Sequence, residues 1–271
     1  MLVLIRLFML AAPFFQLAPA EIDAYLARLN AQQCEYGERV ASIAQLALGT
    51  PYAADPLGEG PGAPYDADPI MDLTRADCVT FVEQVMALAA ASSYREAFDT
   101  LQRIRYRDGK AAFEKRNHFM IADWVANNTF CRDVTGQLGV ATEEVTRTVG
   151  RKHFFTLKKL EQFVSAAVDP EITLEYAPVG TVAAAEKNLP SPALILLIGK
   201  VDWLFTLHCG LYIRDETGAG LFYNASSKRG KAVALPFSEV FQNTERYIGF
   251  TAYKVSSPET VSVPSGEVTP E

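Results

Sequence analysis

The order of the hydrophobic patterns is the strongest constraint on how this chain can fold. Apolar side chains recur at helical spacing in the first part of the chain, over residues 21–33, 36–48, 78–91, 94–105, 118–127 and 156–167. Short segments rich in Leu, Ile, Tyr and Phe follow, separated by turn signals, at residues 172–176, 193–198, 206–213, 221–224 and 247–255. Helices followed by antiparallel strands predict an α+β fold.

The two ends of the chain are predicted to lie outside the folded domain. Residues 7–17 are apolar, Arg6 is the only charge in residues 1–20, and Ala18-Pro19-Ala20 resembles a signal peptidase site. Residues 1–20 are therefore predicted to be a signal peptide, cleaved near Ala20, for export to the periplasm or cell envelope. An uncleaved anchor is the alternative, although a membrane span needs about 20 apolar residues. Residues 256–271 are predicted to be disordered, which leaves 21–255 as a single domain.

Composition and charge exclude several classes of protein. The chain is 49% hydrophobic and 21% charged, carries a net charge of −7, and has no cluster of Lys or Arg, which excludes a nucleic-acid surface. No C-x-x-C or H-E-x-x-H spacing occurs, so we expect neither a metal nor a cofactor. If Cys78 must stay reduced, we expect Cys34 to pair with Cys131, although the sequence alone does not determine connectivity.

Cys78 is the first candidate for catalysis. A long, proline-rich loop over residues 51–69 leads towards Asp77-Cys78, and loops of this length are usually functional or mobile. The helix predicted over 78–91 has Glu83 and Gln84 on its polar face, so Cys78 lies in the first turn. There the helix dipole favours the thiolate, by ~1.4 kcal/mol for each unit by which the pKa falls. A small residue packed at a helix start is the alternative.

His208 and Asn224 are the candidate partners of this thiol. Strand alternation places His208, Gly210 and Tyr212 on one face and turns Cys209 towards the core. A cysteine nucleophile needs a base, and the imidazole needs an acceptor that sets its tautomer. If strands 206–213 and 221–224 pair as a hairpin, Asn224 returns beside His208 and can be that acceptor. Taken singly, a histidine like His208 is more often a core residue, and an asparagine like Asn224 is more often a turn residue.

Several motifs together resemble a known family of enzymes. The segments are Leu48-Gly49-Thr50-Pro51-Tyr52, residues 77–83, 103–107 and 116–124 with Asn127-Asn128, His208-Cys209-Gly210, and Asn224-Ala225-Ser226. They resemble the NlpC-type, papain-like cell-wall cysteine amidases and peptidases, and within these the N-acetylmuramoyl-L-alanine amidase-like branch. The resemblance covers nearly all of residues 21–255.

The resemblance implies a fold and a set of site residues. The fold is papain-like, with a helical N-terminal half whose nucleophile, at a helix start, packs on a C-terminal antiparallel sheet or partial barrel. Cys78 would be the nucleophile, His208 the base and Asn224 the third polar residue. The implied substrate-binding residues are Tyr52 and Asp77 beside the nucleophile, Arg105 and Arg116 for carboxylates, and His118 and Asp123, which either face the cleft or form a structural cluster.

The implied partner is a peptidoglycan fragment, an anhydro-muropeptide, cut by a monomeric enzyme between the lactyl group of N-acetylmuramic acid and L-alanine. The reaction would proceed through an acyl-thioester, without a metal or cofactor. An endopeptidase that cuts the γ-D-glutamyl bond of the stem peptide is the first alternative. A non-catalytic wall-binding module and an acyltransferase with the same triad are two others.

Overall fold

The first half of the chain folds mainly into helices, as the apolar spacing predicts. The computed structural model describes residues 12–242 and 245–258. Helices α1 Pro19–Ala31, α2 Tyr36–Leu46, α3 Cys78–Ala90 and α4 Tyr94–Arg105 come first; α5 Arg151–Leu157, α6 Glu161–Val164 and α7 Val182–Ala185 are short. The strands are β1 Cys131–Asp133, β2 Glu143–Thr148, β3 Glu171–Pro178, β4 Ala193–Val201, β5 Leu204–Arg214, β6 Gly220–Ser226, β7 Lys231–Pro236 and β8 Tyr247–Val255. The α+β class is confirmed.

Within the described residues, eight strands form one antiparallel sheet in the order β2-β3-β8-β4-β5-β6-β7, with β1 also paired to β8. Strand β4 lies in the middle and is buried on both faces. Its Leu194, Leu196 and Ile198 pack into the core that contains α1–α4. Its Ala193, Ile195 and Leu197 pack into a second core on the opposite face, with Phe222, Phe237 and Phe250. The continuous apolar sequence of β4 follows from this burial on two sides.

Helix α3 is buried all round, so the prediction of an amphipathic helix is wrong. Glu83 and Gln84 are only 1% and 5% exposed. The charge of Glu83 is accommodated because Arg105 of α4 donates to its Oε2 at 2.8 Å and Trp124 donates to its Oε1 at 2.9 Å. The helix begins at Cys78 because Asp77 caps it, accepting from Thr80 N at 2.8 Å.

Other predicted elements differ in extent. The helix predicted over 118–127 is a single π-helical turn, Met120–Val125. The helix predicted over 156–167 is interrupted between α5 and α6, where Lys159 has a φ of 58°. Strands β1, β2 and β7 were not predicted, and the mostly exposed residues of β2 show why, since an edge strand of polar residues lacks apolar alternation. Residues 53–69 contain neither helix nor strand, as predicted for the long loop.

The expected pairing of Cys34 with Cys131 is not formed. All four cysteines lie within the described residues and are free thiols. Cys131 is buried on β1, whereas the Cys34 thiol lies on a half-exposed turn before α2 and donates to Gln32 Oε1 at 3.8 Å. The two side chains therefore belong to different environments, one inside the core and one at its rim.

The described residues include only part of the predicted signal peptide and of the predicted disordered tail. Residues 1–11 and 259–271, which hold most of both segments, lie outside the described residues. Residues 12–20 are described: α1 already begins at Pro19, so Ala20 lies in its first turn, and Phe14 is 2% exposed with its ring 5.4 Å from that of Tyr25. Within residues 12–242 and 245–258, no helix has the length and apolar character that crossing a membrane requires. The leader stays a prediction, and cleavage after Ala20 would remove Phe14 from the core.

The buried ring of Phe14 generates a test of this segment. Phe14→Ala in the full chain is expected to lower the free energy of unfolding by about 3–5 kcal/mol, because it removes a buried aromatic side chain. Urea denaturation followed by circular dichroism measures the change. Gln16→Ala, at an exposed position two residues away, is the control and should have little effect. Equal stability of the two variants would contradict the packing of Phe14.

Candidate active site

Cys78, His208 and Asn224 come together in the lining of one cavity. His208 Nε2 donates to Asn224 Oδ1 at 2.9 Å, and the Asn224 amide is oriented because its Nδ2 donates to Phe222 O at 3.4 Å. With Nε2 engaged, Nδ1 is the ring nitrogen left to interact with the Cys78 thiol, which lines the same cavity. The arrangement places a nucleophile, a base and an acceptor in one chain of contacts.

The β5–β6 hairpin produces this contact, as the sequence predicts. The two strands pair antiparallel from Leu211 with Tyr223 to Arg214 with Gly220, which returns Asn224 to the side of His208. Gly210, between them, permits the close approach: a Cβ there would lie 2.5 Å from Tyr223 O and 2.6 Å from the Phe222 ring. The hairpin register and this glycine together position the imidazole.

Cys209 is a site residue that sequence reasoning missed. It is completely buried and belongs to the core that contains α3, as strand alternation predicts, but its thiol also interacts with that of Cys78. The pKa of Cys78 is held well below its ordinary value, first by this interaction with Cys209 and then by the interaction with and charge of His208, which outweigh burial. The same contact, together with burial, raises the pKa of Cys209, so Cys209 stays a protonated donor.

The pKa of the His208 imidazole is shifted in the opposite direction. Burial alone would lower the pKa of His208, but the bond and negative charge of Cys78 and the bond to Asn224 raise it above the ordinary value. A lowered thiol pKa beside a raised imidazole pKa favours the thiolate–imidazolium pair. That pair has both a nucleophile and a proton donor ready near neutral pH.

Two cavities flank the start of α3. The first, of about 460 Å³, is lined by Cys78, His208, Asn224 and Tyr52, and by the charged side chains Lys228, Arg229, Glu239 and Arg246. The second, of about 360 Å³, is lined by Asp77, Arg105, Arg116 and His118, and by Asp55, Tyr65, Phe154 and Lys158 among others. Five of the six predicted substrate-binding residues therefore line one cavity or the other; their roles stay predictions.

The predicted arginines and Asp77 also have partners within the fold. Arg105 is buried and donates to Glu83, as above, and to Leu57 O at 2.5 Å. Arg116 donates to Glu59 Oε1 and to Asp66 Oδ2, the latter at 2.8 Å. The second oxygen of Asp77 accepts from Asp55 N at 3.2 Å. These contacts give all three side chains a structural task in holding the long loop.

Among the described residues, no hydrogen bond or ion pair joins His118 to Asp123. His118 Nε2 donates to Phe113 O at 2.9 Å, and burial, followed by the charge of Arg116, lowers the pKa of His118 to about 4. Asp123 accepts from Phe119 N at 3.0 Å and pairs with Arg151. Both line a third cavity of about 350 Å³. Within the described part of the chain, no group of three or more His, Cys, Asp or Glu side chains is arranged to hold a metal ion.

The thiol contacts generate a test of the site electrostatics. Alkylation of Cys78 by iodoacetamide, followed by mass spectrometry of its peptide, is expected to proceed at a pH well below the titration range of an ordinary thiol. Cys209→Ala and His208→Ala should each move the midpoint to higher pH, because each removes a group that stabilises the thiolate. Cys131→Ala, at another buried free thiol, is the control. An unchanged midpoint in both site variants would contradict the arrangement.

Comparisons with known proteins agree with this fold. A solved structure of a Legionella pneumophila protein has a TM-score of 0.79 at 21% identity, over 88% of this chain and 94% of its own. A crystal structure of an N-acetylmuramoyl-L-alanine amidase from Bacteroides uniformis has a TM-score of 0.64 at 24% identity, over 82% and 99%. At these identities the likeness shows a shared fold, and the search of curated proteins found no match. The model of the AmiA-like family, described as N-acetylmuramoyl-L-alanine amidase-like, matches residues 42–250, and the chain belongs to that family.

Proposed function

We propose that this protein is a cysteine amidase of the NlpC-type, papain-like class, which hydrolyses the N-acetylmuramoyl-L-alanine bond of peptidoglycan fragments. The observation that carries the proposal is the chain of interactions from Cys78 through His208 to Asn224 in the lining of one cavity. Membership of the amidase-like family supports the choice of bond. The placement of Cys78 at a helix start, packed against an antiparallel sheet, supports the papain-like layout.

In this mechanism the Cys78 thiolate attacks the lactyl carbonyl carbon and forms a tetrahedral oxyanion. The backbone N–H of Cys78, at the positive end of α3, is oriented to stabilise that charge. Collapse breaks the C–N bond while protonated His208 donates its proton to the departing L-alanine nitrogen, leaving an acyl-thioester on Cys78. Neutral His208 then accepts a proton from water, the hydroxide attacks the thioester, and the free lactyl carboxylate and the thiolate are released.

Two further side chains support these steps. Asn224 holds the imidazole through Nε2, which keeps Nδ1 directed at sulfur in both protonation states. Tyr52 lines the same cavity as Cys78, and its pKa is raised by burial and then by the negative charges of Cys78 and Asp77, so its hydroxyl stays a hydrogen-bond donor to the bound peptide.

We also propose that the protein works as an exported monomer, in the periplasm or cell envelope, without a metal or cofactor. The apolar segment 7–17 and the small residues that end at Ala20 support export. N-terminal sequencing of protein recovered from the cell envelope tests the cleavage site. A mature chain that begins upstream of Phe14 would keep that ring in the core, whereas one that begins at Glu21 would lose it.

The central prediction concerns Cys78. Cys78→Ala is expected to lower the turnover of a purified anhydro-muropeptide by roughly 10³-fold or more, because it removes the nucleophile. Cys34→Ala, which changes a half-exposed thiol outside the site, is the control and should act like the wild-type protein. Mass spectrometry of the digest identifies the products.

The products separate the competing functions. An anhydro-sugar product with a free lactyl carboxylate, together with a stem peptide that begins at L-alanine, supports the amidase. A sugar-L-Ala-D-Glu product would instead identify a γ-D-glutamyl endopeptidase. Undiminished turnover by Cys78→Ala would eliminate the cysteine mechanism, and binding without any turnover by the wild-type protein would identify a wall-binding module.

A second prediction concerns Asn224. Asn224→Ala is expected to reduce kcat by about 10²-fold, because the imidazole loses the acceptor that orients it. Asn224→Asp keeps an oxygen acceptor on β6 and should retain more activity than Asn224→Ala. The variants are compared by kcat and KM across pH, and an Ala variant with wild-type kcat at every pH would refute the role of Asn224.

A further inference from the structure

The two cavities lie on either side of Cys78 along the chain. Cys78 lines the first cavity, and its neighbours in sequence, Asp77 and Val79, line the second. Because consecutive residues line different cavities, a substrate whose scissile carbonyl lies at the Cys78 sulfur has one cavity for each of its two parts. The chemistry of the two linings decides which part goes where.

The first cavity is suited to an anion. Its lining includes Lys228 and Arg229 on the exposed turn between β6 and β7, and Arg246, against the single carboxylate of Glu239. Lys228 and Arg229 form no ion pair with any residue in the described ranges. Two cations that are solvated in the unbound protein are thus available for carboxylates of a ligand.

The second cavity is lined by four aspartates, and each of them has a partner within the fold. Asp55 pairs with Lys158, and Asp66 pairs with Arg116 at 2.8 Å. Asp68 lies 3.8 Å from Arg75, and Asp77 caps α3. Because each of these carboxylates already has a cation or a hydrogen-bond donor beside it, the lining offers little to the free ammonium of a peptide.

Aromatic side chains form part of the surface of the second cavity. Tyr65 is 40% exposed, and its ring lies 5.8 Å from that of Phe113; Phe154 lines the cavity as well. Flat aromatic faces beside hydrogen-bonding side chains suit a neutral, ring-shaped polar ligand such as a sugar, whose C–H face packs on the ring.

The direction of the reaction gives an independent argument. His208 must donate its proton to the leaving nitrogen, and His208 lines the first cavity only. The leaving group therefore lies in the first cavity, and the acyl group lies in the second. The charges of the two cavity linings favour the same orientation of the substrate, because the leaving stem peptide carries carboxylates and the acyl part is an uncharged amino sugar.

We propose that the second cavity, with Tyr65 as its platform, binds the N-acetylated amino sugar, and that the first cavity binds the anionic stem peptide through Lys228 and Arg229. This assignment rests on the proposed function and extends it by giving the substrate one orientation in the cleft. It also disfavours γ-D-glutamyl cleavage, which would bring a peptide with a free amine and a carboxylate into the second cavity.

Binding to an inactive full-length chain tests the assignment apart from catalysis. In a Cys78→Ala background, isothermal titration calorimetry measures the Kd of the uncharged primary amide of N-acetylmuramic acid, as the sugar, and of the peptide L-Ala-γ-D-Glu. Tyr65→Ala is expected to weaken sugar binding by about 10-fold and leave peptide binding within about 2-fold. Arg229→Gln is expected to do the reverse, by about 10-fold, because it removes a charge-assisted hydrogen bond.

Matched variants control each arm. Tyr65→Phe keeps the ring and should keep sugar binding, and Lys187→Gln removes an exposed cation outside both cavities and should keep peptide binding. Circular dichroism confirms that each variant is folded. The assignment would be overturned if Tyr65→Ala weakened peptide binding while Arg229→Gln weakened sugar binding, or if neither variant had an effect. It would also be overturned if the sugar did not bind at millimolar concentration. Failure of the proposed function shows separately, as turnover that survives Cys78→Ala.

Discussion

The buried ion pair between Glu83 of α3 and Arg105 of α4 is the interaction on which the rest of the structure depends. It lets a helix that carries a carboxylate lie in the core, where an unpaired charge is strongly unfavourable. Arg105 also donates to Leu57 O, and neighbouring Tyr106 donates to Gly58 O at 2.9 Å. One contact network therefore positions α3, α4 and the long loop relative to one another. Removing either partner of such a pair typically costs about 3–5 kcal/mol.

That network bears directly on the site, because it controls where the first turn of α3 lies. With α3 buried against β5, the Cys78 thiol is placed next to two consecutive residues of that strand, His208 and Cys209. His208 supplies a base and a charge, and Cys209 supplies a neutral donor from the core side. The thiolate is stabilised by two groups of different chemistry in addition to the end of the helix dipole.

The loop held by the same network forms walls of the cleft. Tyr52 borders the cationic first cavity, whereas Asp55 and Tyr65 border the second. In this arrangement Arg105 and Arg116, which line the second cavity, are held in place by ion pairs, and Arg116 pairs with Asp66 of the same lining. The second cavity is bordered by the aromatic side chains of Tyr65, Phe113 and Phe154, and the first by the exposed cations Lys228 and Arg229. A cleft of this kind discriminates between the two ends of an asymmetric substrate.

The sequence by itself determined the α+β class, the bounds of α4, the β5–β6 hairpin and the placement of Cys78, His208 and Asn224, because periodicity, caps and turn residues are local signals. It did not predict that Glu83 is buried, since a carboxylate on a helix is expected to face solvent unless its partner, 22 residues away in Arg105, is known. The sequence did not predict β2, because the mostly polar residues of this edge strand do not alternate with apolar ones. Only the tertiary structure decided that Cys209 contacts the nucleophile and that charge divides unequally between two cavities. Both depend on residues distant in the chain, whose proximity results from packing rather than local spacing.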